Sequence, residues 1–203
     1  MRINFIADMF LEHILGGGEL NNHELINLLR EKGNKVTTTL SHLAGDNWIK
    51  NNDNFIISNF TNLSESCKTL LLEKKYVIYE HDHKYIRSRN PGLYKDFIAP
   101  KEELVNIEFY KAATAVLCQS EFHKNVIHMN TGLDNLVNLS GNLWSIESLE
   151  YMRNISNIDK SGKHCILDSH IEHKNTRDAI RYCAAKEYDY VLISDKDYYS
   201  FLK

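Results

Sequence analysis

A run of acidic, basic and imidazole side chains occurs in the middle of the chain. The sequence EHDHK occupies positions 80–84, directly after the apolar run 76–79. Imidazole and carboxylate groups such as His81 and Asp82 can orient or deprotonate an alcohol. Together with His83 they are also competent metal ligands, although in an extended segment Asp82 would point away from the two histidines and no second ligand pair completes a shell. An ordinary solvated loop is the third interpretation.

Three consecutive glycines form a second chemically distinctive feature. Gly16, Gly17 and Gly18 follow an apolar strand at residues 3–6 and precede a helix that Glu19 opens. Without Cβ atoms, such a turn lets a phosphate contact backbone N–H groups at a helix N-terminus. A flexible turn is the alternative. The spacing is neither that of the dinucleotide-binding G-x-G-x-x-G motif nor that of a P-loop.

Further polar residues follow the neighbouring apolar runs. A basic, turn-rich segment contains Lys84, Arg87 and Arg89. These side chains could attract a phosphate or another anionic substrate group, or they could simply be solvated. Ser120 follows the next apolar run and is expected first of all to cap a helix. His123 lies one turn inside that helix and faces either the cleft or solvent.

Apolar runs and helical patterns alternate along the whole chain. Strands are predicted at residues 3–6, 35–40, 55–57, 76–79, 115–118, 136–139, 165–167 and 190–193. Helices are predicted at 19–32, 63–75, 101–113, 120–129, 146–152, 176–186 and 195–203, and a polar loop at 41–54. The strands are too continuously apolar for one-sided exposure, so they predict an α/β fold with a doubly wound parallel sheet. In such a sheet ligands bind beyond the carboxyl ends of the strands, where the polar residues above are found.

The composition is that of an ordinary soluble globular protein. The chain has 203 residues, of which 43% are hydrophobic and 25% charged, and a net charge of -3, so nothing in its charge indicates a nucleic-acid partner. The four cysteines are far apart and form no C-x-x-C motif, which favours reduced, buried thiols. Asp8 and Glu12 interrupt any signal-peptide core, and no stretch approaches the roughly 18 apolar residues of a membrane span. A cytoplasmic protein is therefore expected, and formation of a homo-oligomer stays open.

The best domain boundary is the polar segment NISNIDKSG at residues 154–162. It separates a domain at residues 1–155 from a short strand–helix–strand segment at residues 163–203. This second segment is either part of another Rossmann-like domain or an extension of the first sheet.

The glycine turn and the His-Asp pair together resemble GT-B glycosyltransferases of the family-4 type. In that family a strand leads to a GG-x-E loop and a helix ending in L-x-x-x-G-x-x-V, and the similar residues here are Gly17 and Gly18 before Glu19, then Leu29, Gly33 and Val36. A later strand of the family commonly ends in a His-Asp pair, like His81 and Asp82. The segment 113–122 resembles the family's following strand and helix start.

The resemblance implies a Rossmann-like GT-B N-terminal domain with a short βαβ extension. It implies transfer of a sugar from a nucleotide-sugar donor to an acceptor hydroxyl, with retention of configuration and without a cofactor or a metal. His81 and Asp82 would be the catalytic residues. The expected substrate-binding residues are Gly16, Gly17, Gly18, Glu19, His83, Lys84, Arg87, Arg89, Ser120 and His123.

The sequence departs from the family in its second half. The family's second domain supplies the donor nucleotide site, and residues 163–203 are too few for that domain. Its paired glutamates, E-x7-E, have no counterpart, because Glu187 and Asp195 have the right separation but flank a predicted strand. Two alternatives therefore stay open: a non-catalytic module that binds phosphate or a nucleotide sugar, and a metal-dependent phosphoesterase that uses His81, Asp82 and His83.

Overall fold

A computed structural model describes residues 1–193 of the protein, apart from the side chain of His173. The chain divides into two compact units, Met1–Leu143 and the chain from Trp144 onward. The helix predicted at residues 195–203 lies outside the described residues.

The first unit is built on a six-stranded parallel sheet. Its strands are β1 (Arg2–Ala7), β2 (Lys35–Leu40), β3 (Phe55–Ile57), β4 (Tyr76–Tyr79), β5 (Ala115–Cys118) and β6 (Leu136–Asn138). Their order in the sheet is β2-β1-β3-β4-β5-β6. Ile3 of β1 lies opposite Val36 of β2, and Phe5 of β1 lies opposite Ile56 of β3. The predicted strands are confirmed to within one residue at each end.

Five helices of this unit connect the strands. They are α1 (Gly17–Glu31), α2 (Asp46–Lys50), α3 (Glu65–Leu71), α4 (Ile107–Ala112) and α5 (Glu121–Thr131). The helix α1 has the acidic Glu19 in its first turn and the basic Arg30 in its last, as the helix dipole favours, and Gly33 follows it with a φ of 80°.

Both faces of the sheet are covered, as the continuous apolar runs predict. Along β1, Ile3, Phe5 and Ala7 belong to one buried cluster, while Ile6 belongs to the other. Because successive side chains of a strand point to opposite faces, the two clusters lie on opposite sides of the sheet. The Rossmann-like, doubly wound α/β class is therefore confirmed.

Several helix predictions are wrong in their details. The expected loop at 41–54 contains a 3-10 turn, Ser41–Leu43, and the helix α2. The helix expected from residue 101 begins only at Ile107. Asn106, directly before it, has a left-handed φ of 58°, which a continuous α-helix does not allow. The helix α3 ends at Leu71 rather than near residue 75. Leu28, expected on the buried face of α1, is 41% exposed.

The second unit contains two helices and two strands among the described residues. They are α6 (Ile146–Ser156), β7 (His164–Leu167), α7 (Thr176–Ala185) and β8 (Tyr190–Ile193). The strands β7 and β8 form a separate parallel sheet, with His164 opposite Tyr190. Within the described residues these strands do not extend the first sheet. The polar segment 154–162, which the sequence favours as the domain boundary, begins inside α6. The boundary between the two compact units lies earlier in the chain, between Leu143 and Trp144.

Candidate functional site

The strand order places a topological switch point at the carboxyl ends of β1 and β3, and the residues around this point are called the crevice below. The chain leaves β1 toward β2 on one side of the sheet, and β3 lies on the other side of β1. Ligands of open α/β sheets bind at such a switch point. Polar residues follow each of the strands that end there or next to it: Asp8 after β1, Ser58 and Asn59 after β3, Glu80 and His81 after β4, and Gln119 after β5.

The glycine turn forms the N-terminus of α1 at this edge. Gly16 is the N-cap residue in extended conformation, and no side chain of the described residues caps the helix there. The first N–H groups of a helix have no partner inside the helix, so they are available to a ligand. A Cβ atom on Gly16 would collide with the carboxylate of Glu19, whereas a Cβ on Gly17 would meet no atom within 4 Å. The Glu19 carboxylate lies at the end of a flexible side chain and Gly16 has an ordinary extended backbone, so neither position strictly requires a glycine in this conformation.

Gly18 brings α1 into contact with the loop after β4. A Cβ atom at Gly18 would lie 3.5 Å from Cδ2 of His81 and 3.7 Å from Nδ2 of Asn59. The glycine turn and the predicted catalytic histidine are thus neighbours at the switch point, although they are 63 positions apart in the sequence.

His81 is held by two amide side chains. Its Nε2 lies 3.0 Å from Oδ1 of Asn22, and its Nδ1 lies 2.9 Å from Nε2 of Gln119. An amide oxygen accepts and an amide nitrogen donates, so this pair of contacts selects the neutral ring with its proton on Nε2. Burial, helped by the nearby charge of Lys84, lowers the pKa of His81 to about 4. The ring is therefore neutral at pH 7.

Asp82 lies in a network of charged groups. Its carboxylate contacts Nζ of Lys84 and lies 3.1 Å from Nη1 of Arg89. Lys84 is only 2% exposed, and its ammonium also lies 3.3 Å from Oε1 of Glu80. Glu80 is fully buried and accepts hydrogen bonds from the Asp82 backbone N–H and from the Tyr110 hydroxyl. The positive charge of Lys84 is therefore balanced inside the protein by the carboxylates of Glu80 and Asp82.

His83 and His123 pack against each other beside this network. Their ring centroids are 4.7 Å apart, and Nδ1 of His83 lies 2.9 Å from the Tyr85 hydroxyl. Burial is the main cause that lowers the pKa of both rings, to about 4 for His83. Ser120 caps α5 as predicted, since its hydroxyl accepts a hydrogen bond from the His123 N–H at 3.1 Å.

Asp8 anchors the crevice from the end of β1. Its carboxylate accepts hydrogen bonds from the backbone N–H groups of Thr61 at 2.9 Å and Asn62 at 3.0 Å. It also accepts hydrogen bonds from the hydroxyls of Ser41 and Thr61. Burial alone would raise the pKa of Asp8, but these hydrogen bonds outweigh it and lower the pKa. Asp8 therefore joins the carboxyl ends of β1, β2 and β3.

Four buried polar atoms of uncharged groups near these residues have no hydrogen-bond partner within residues 1–193: Nδ2 of Asn22, Oγ of Ser58, Oδ1 of Asn59 and Nε2 of His123. Buried polar groups in native proteins are nearly always paired, so an unpaired group calls for an explanation such as a ligand or water. Asn22 and Asn59 contribute such atoms directly beside His81 and Gly18.

The chain is similar to known proteins in its fold and not in its sequence. No protein-family model matches the sequence, and no curated protein matches it significantly. Among solved structures, an alpha-glucosyltransferase in complex with UDP and a 13-mer DNA containing a central A:G mismatch matches with a TM-score of 0.57 and 14% identity, covering 100% of this chain and 58% of that chain. The protein shares the fold of these transferases.

Two further structures support the same likeness. An alpha-glucosyltransferase with UDP and a 13-mer DNA containing a HMU base has a TM-score of 0.54 and 15% identity, covering 91% of this chain and 53% of that chain. An alpha-glucosyltransferase in complex with UDP has a TM-score of 0.52 and 15% identity, covering 100% of this chain and 60% of that chain. The present chain spans little more than half the length of these structures.

The two arginines that the sequence singles out, Arg87 and Arg89, are exposed at the surface. The side chain of Arg87 is 67% exposed and lies 3.9 Å from Glu103, and Arg89 is tied to Asp82. No group of three or more His, Cys, Asp or Glu side chains that could hold a metal occurs in the described part of the chain. His81, Asp82 and His83 each have different partners, as given above.

No helix of residues 1–193 is long and apolar enough to cross a membrane.

The second unit has a cavity of its own. It has a volume of about 460 Å³ and lies at the N-terminal end of α7, where its lining includes Ser169, Asn175, Arg177 and Arg181. The hydroxyl of Thr176 donates a hydrogen bond to the carbonyl of Leu167, which fixes the start of α7 at the end of β7. The cavity thus combines a helix N-terminus and two guanidinium groups with the carboxylates of Glu172 and Asp178, and Asp178 lies 3.2 Å from Arg181.

Several residues of the crevice have no motif in the sequence. Asn22, Asn59 and Gln119 are ordinary amides, and only the position of Asn59 and Gln119 just after an apolar run could have indicated them. The same rule applies to Asp8. The buried role of Glu80 has no signal in the sequence, because a carboxylate at the start of a polar segment is expected to be solvated.

Proposed function

We propose that the protein is a glycosyltransferase, or the acceptor-side portion of one, that transfers a sugar from a nucleotide-sugar donor to an acceptor hydroxyl. The observation that carries the proposal is that the first turn of α1 and His81 lie side by side at the switch point of the sheet, where a Cβ on Gly18 would touch the ring and Asn22 binds it. The fold shared with solved glucosyltransferases agrees with it. Retention of configuration follows from the resemblance to family-4 enzymes and belongs to the proposal.

The N-terminus of α1 would hold the leaving diphosphate. Helix α1 has 15 residues, and the partial positive charge of its N-terminus favours a negatively charged group. The unpaired Nδ2 of Asn22 can donate a further hydrogen bond, and the hydroxyl of Ser58 can donate or accept one. Neutral donors of this kind stabilise the charge that develops on the leaving group.

His81 and Asp82 would orient the acceptor hydroxyl. The neutral ring of His81 has its proton on Nε2, bound to Asn22. An acceptor hydroxyl can replace the oxygen of Asn22 as the partner of this N–H group, while Gln119 keeps the ring in place through Nδ1. Asp82 is 37% exposed in its side chain, so one of its edges is accessible.

The resemblance to GT-B enzymes implies a donor-side domain after the acceptor-side one. We assign residues 1–155 to the acceptor-side domain and residues from 163 onward to the start of a donor-side domain.

UDP-glucose is the first donor to test, with GDP-glucose and ADP-glucose as comparisons. The protein is expected to show a rise in Tm with UDP-glucose and slow hydrolysis of the donor. His81→Ala should lower the hydrolysis rate at least tenfold, whereas His23→Ala, at an exposed position on α1, should not change it. No shift in Tm and no hydrolysis with any of the three donors would refute the proposal.

A non-catalytic sugar-nucleotide-binding module is the second candidate. One observation favours it: both ring nitrogens of His81 already have partners. A rise in Tm with UDP-glucose, together with no hydrolysis and no transfer to added sugars, would select this candidate.

A further inference from the structure

Glu80 is a buried carboxylate directly before the His81–Asp82 pair. It has 0% exposure, although it follows the last residue of β4 in a segment of polar residues. Its Oε1 accepts the Asp82 backbone N–H at 2.9 Å and lies 3.3 Å from Nζ of Lys84, and its Oε2 accepts the hydroxyl of Tyr110. One buried carboxylate thus joins the loop after β4 to the helix α4.

Both ends of Asp82 depend on Glu80. The backbone of Asp82 is held by Oε1 of Glu80, and its carboxylate contacts Lys84, which Glu80 also holds. Helix α4 makes a second contact with the same loop. Nδ2 of Asn106, at the start of the helix, donates a hydrogen bond to the carbonyl of Lys84 at 2.8 Å. His81 lies between Glu80 and Asp82 in the chain, so its ring is placed by the same fixed backbone.

Net stability does not explain this arrangement well. Taking a carboxylate and an ammonium out of water costs several kcal/mol per ion, and a buried ion pair is often no more stabilising than apolar side chains of the same volume. Burial would raise the pKa of Glu80, yet Lys84, Tyr110 and the Asp82 N–H lower it to about 2, so the carboxylate stays ionised. A charge kept in the core at this cost gives precise geometry to the residues that it contacts.

We propose that Glu80 is a positioning residue for the His81–Asp82 pair and that Tyr110 and Lys84 hold it in place. The inference rests on the proposed function, in which this pair orients the acceptor hydroxyl. Glu80 itself touches no substrate. A shift of about 1 Å in a catalytic group can lower a rate by about a hundredfold, so the loss of this support should lower turnover.

Tyr110→Phe is the most direct perturbation, because it removes one hydroxyl at nearly constant volume. Tyr76→Phe is its matched control. Tyr76 is 1% exposed, belongs to the same buried cluster as Tyr110, and also donates a hydrogen bond from its hydroxyl, to the carbonyl of Phe109 at 2.5 Å. Both variants lose a buried hydrogen bond, but only Tyr110→Phe loses one to Glu80.

Two measurements separate positioning from stability. The exchange rate of the Asp82 amide hydrogen is measured by NMR, with each variant held the same number of degrees below its own Tm. This rate should be at least tenfold faster in Tyr110→Phe than in Tyr76→Phe. In UDP-glucose hydrolysis, kcat should fall at least tenfold in Tyr110→Phe with KM within twofold, and Tyr76→Phe should match the wild type. Glu80→Gln, which keeps the shape of the side chain but removes its charge, should give the same two effects.

The outcomes distinguish this inference from the proposed function. If Tyr110→Phe and Glu80→Gln leave both the exchange of Asp82 and kcat at the level of Tyr76→Phe, Glu80 has no positioning role. If the wild type neither binds nor hydrolyses UDP-glucose, the proposed function is refuted, and the exchange measurement still decides whether Glu80 fixes the backbone of Asp82.

Discussion

Acidification should destabilise the protein through its buried imidazoles. His81 and His83 both have a pKa of about 4, mainly because burial disfavours the charged ring, and for His83 the neighbouring His123 adds to the effect. In the unfolded chain these rings return to a pKa of about 6.5. Between pH 6.5 and pH 4 the unfolded state therefore binds more protons than the folded state, and stability falls as the pH is lowered.

The size of the effect follows from these two pKa values. A histidine with a folded pKa of about 4 and an unfolded pKa of about 6.5 loses about 2 kcal/mol of its contribution between pH 7 and pH 5. His81 and His83 together should cost about 4 kcal/mol. That is a large part of the 5–15 kcal/mol that stabilises a typical domain. Glu80, whose pKa is lowered, contributes stability that is lost only at pH values below about 4.

Urea unfolding at pH 7 and pH 5 tests this reasoning. For each protein the quantity of interest is the difference between the free energies of unfolding at the two pH values. This difference should be about 2 kcal/mol smaller in His83→Gln than in the wild type, because the group that titrates has been removed. His23→Gln, at an exposed position, is the control and should match the wild type. An equal pH difference in His83→Gln and the wild type would refute the buried, neutral state of His83.

Three further substitutions have defined outcomes. Asp8→Asn should lower the free energy of unfolding by about 2–4 kcal/mol, since Thr61 and its neighbours lose a charged acceptor, and a loss below about 0.5 kcal/mol in urea unfolding would contradict this anchoring role. Gly18→Val should weaken UDP binding at least tenfold in calorimetry while Tm changes little, and an unchanged affinity would place the phosphate elsewhere. Ser120→Ala should cost about 1 kcal/mol through the lost cap to His123 without changing UDP affinity, and a large fall in affinity would instead put Ser120 in contact with the ligand.

The fold could be predicted from the sequence because strand and helix periodicity are local properties. The apolar runs fix the six strands of the first unit, and the rule that ligands bind at the carboxyl ends of parallel strands correctly brings the glycine turn and His81 to one edge. Helix ends were less predictable. Helix α4 starts after Asn106, a residue type that tolerates the left-handed conformation, and the side chain of Asn106 is held by long-range contacts with Lys84 and Lys68 that the sequence does not show.

The roles of single side chains in the site could not be predicted, because burial decides them and burial is a tertiary property. Lys84 and Arg89 have the same charge and lie five positions apart, yet Lys84 is 2% exposed and paired with Glu80, whereas Arg89 is half exposed in its side chain. The sequence offers both equally as phosphate ligands. Only the packed structure shows that the ammonium of Lys84 is already neutralised inside the protein.

This distribution of charge changes which groups are available to a ligand. The charged residues of the 80–84 segment contact one another. Several uncharged groups beside them have no partner within residues 1–193: one amide atom each of Asn22 and Asn59, the hydroxyl of Ser58 and the first N–H groups of α1. A diphosphate held by neutral dipoles is bound more weakly than one held by several cations, but these dipoles are fixed in place and need no reorganisation as charge develops. We therefore expect binding of UDP to depend less on salt concentration than binding to a lysine cluster would, because few of its partners are ions.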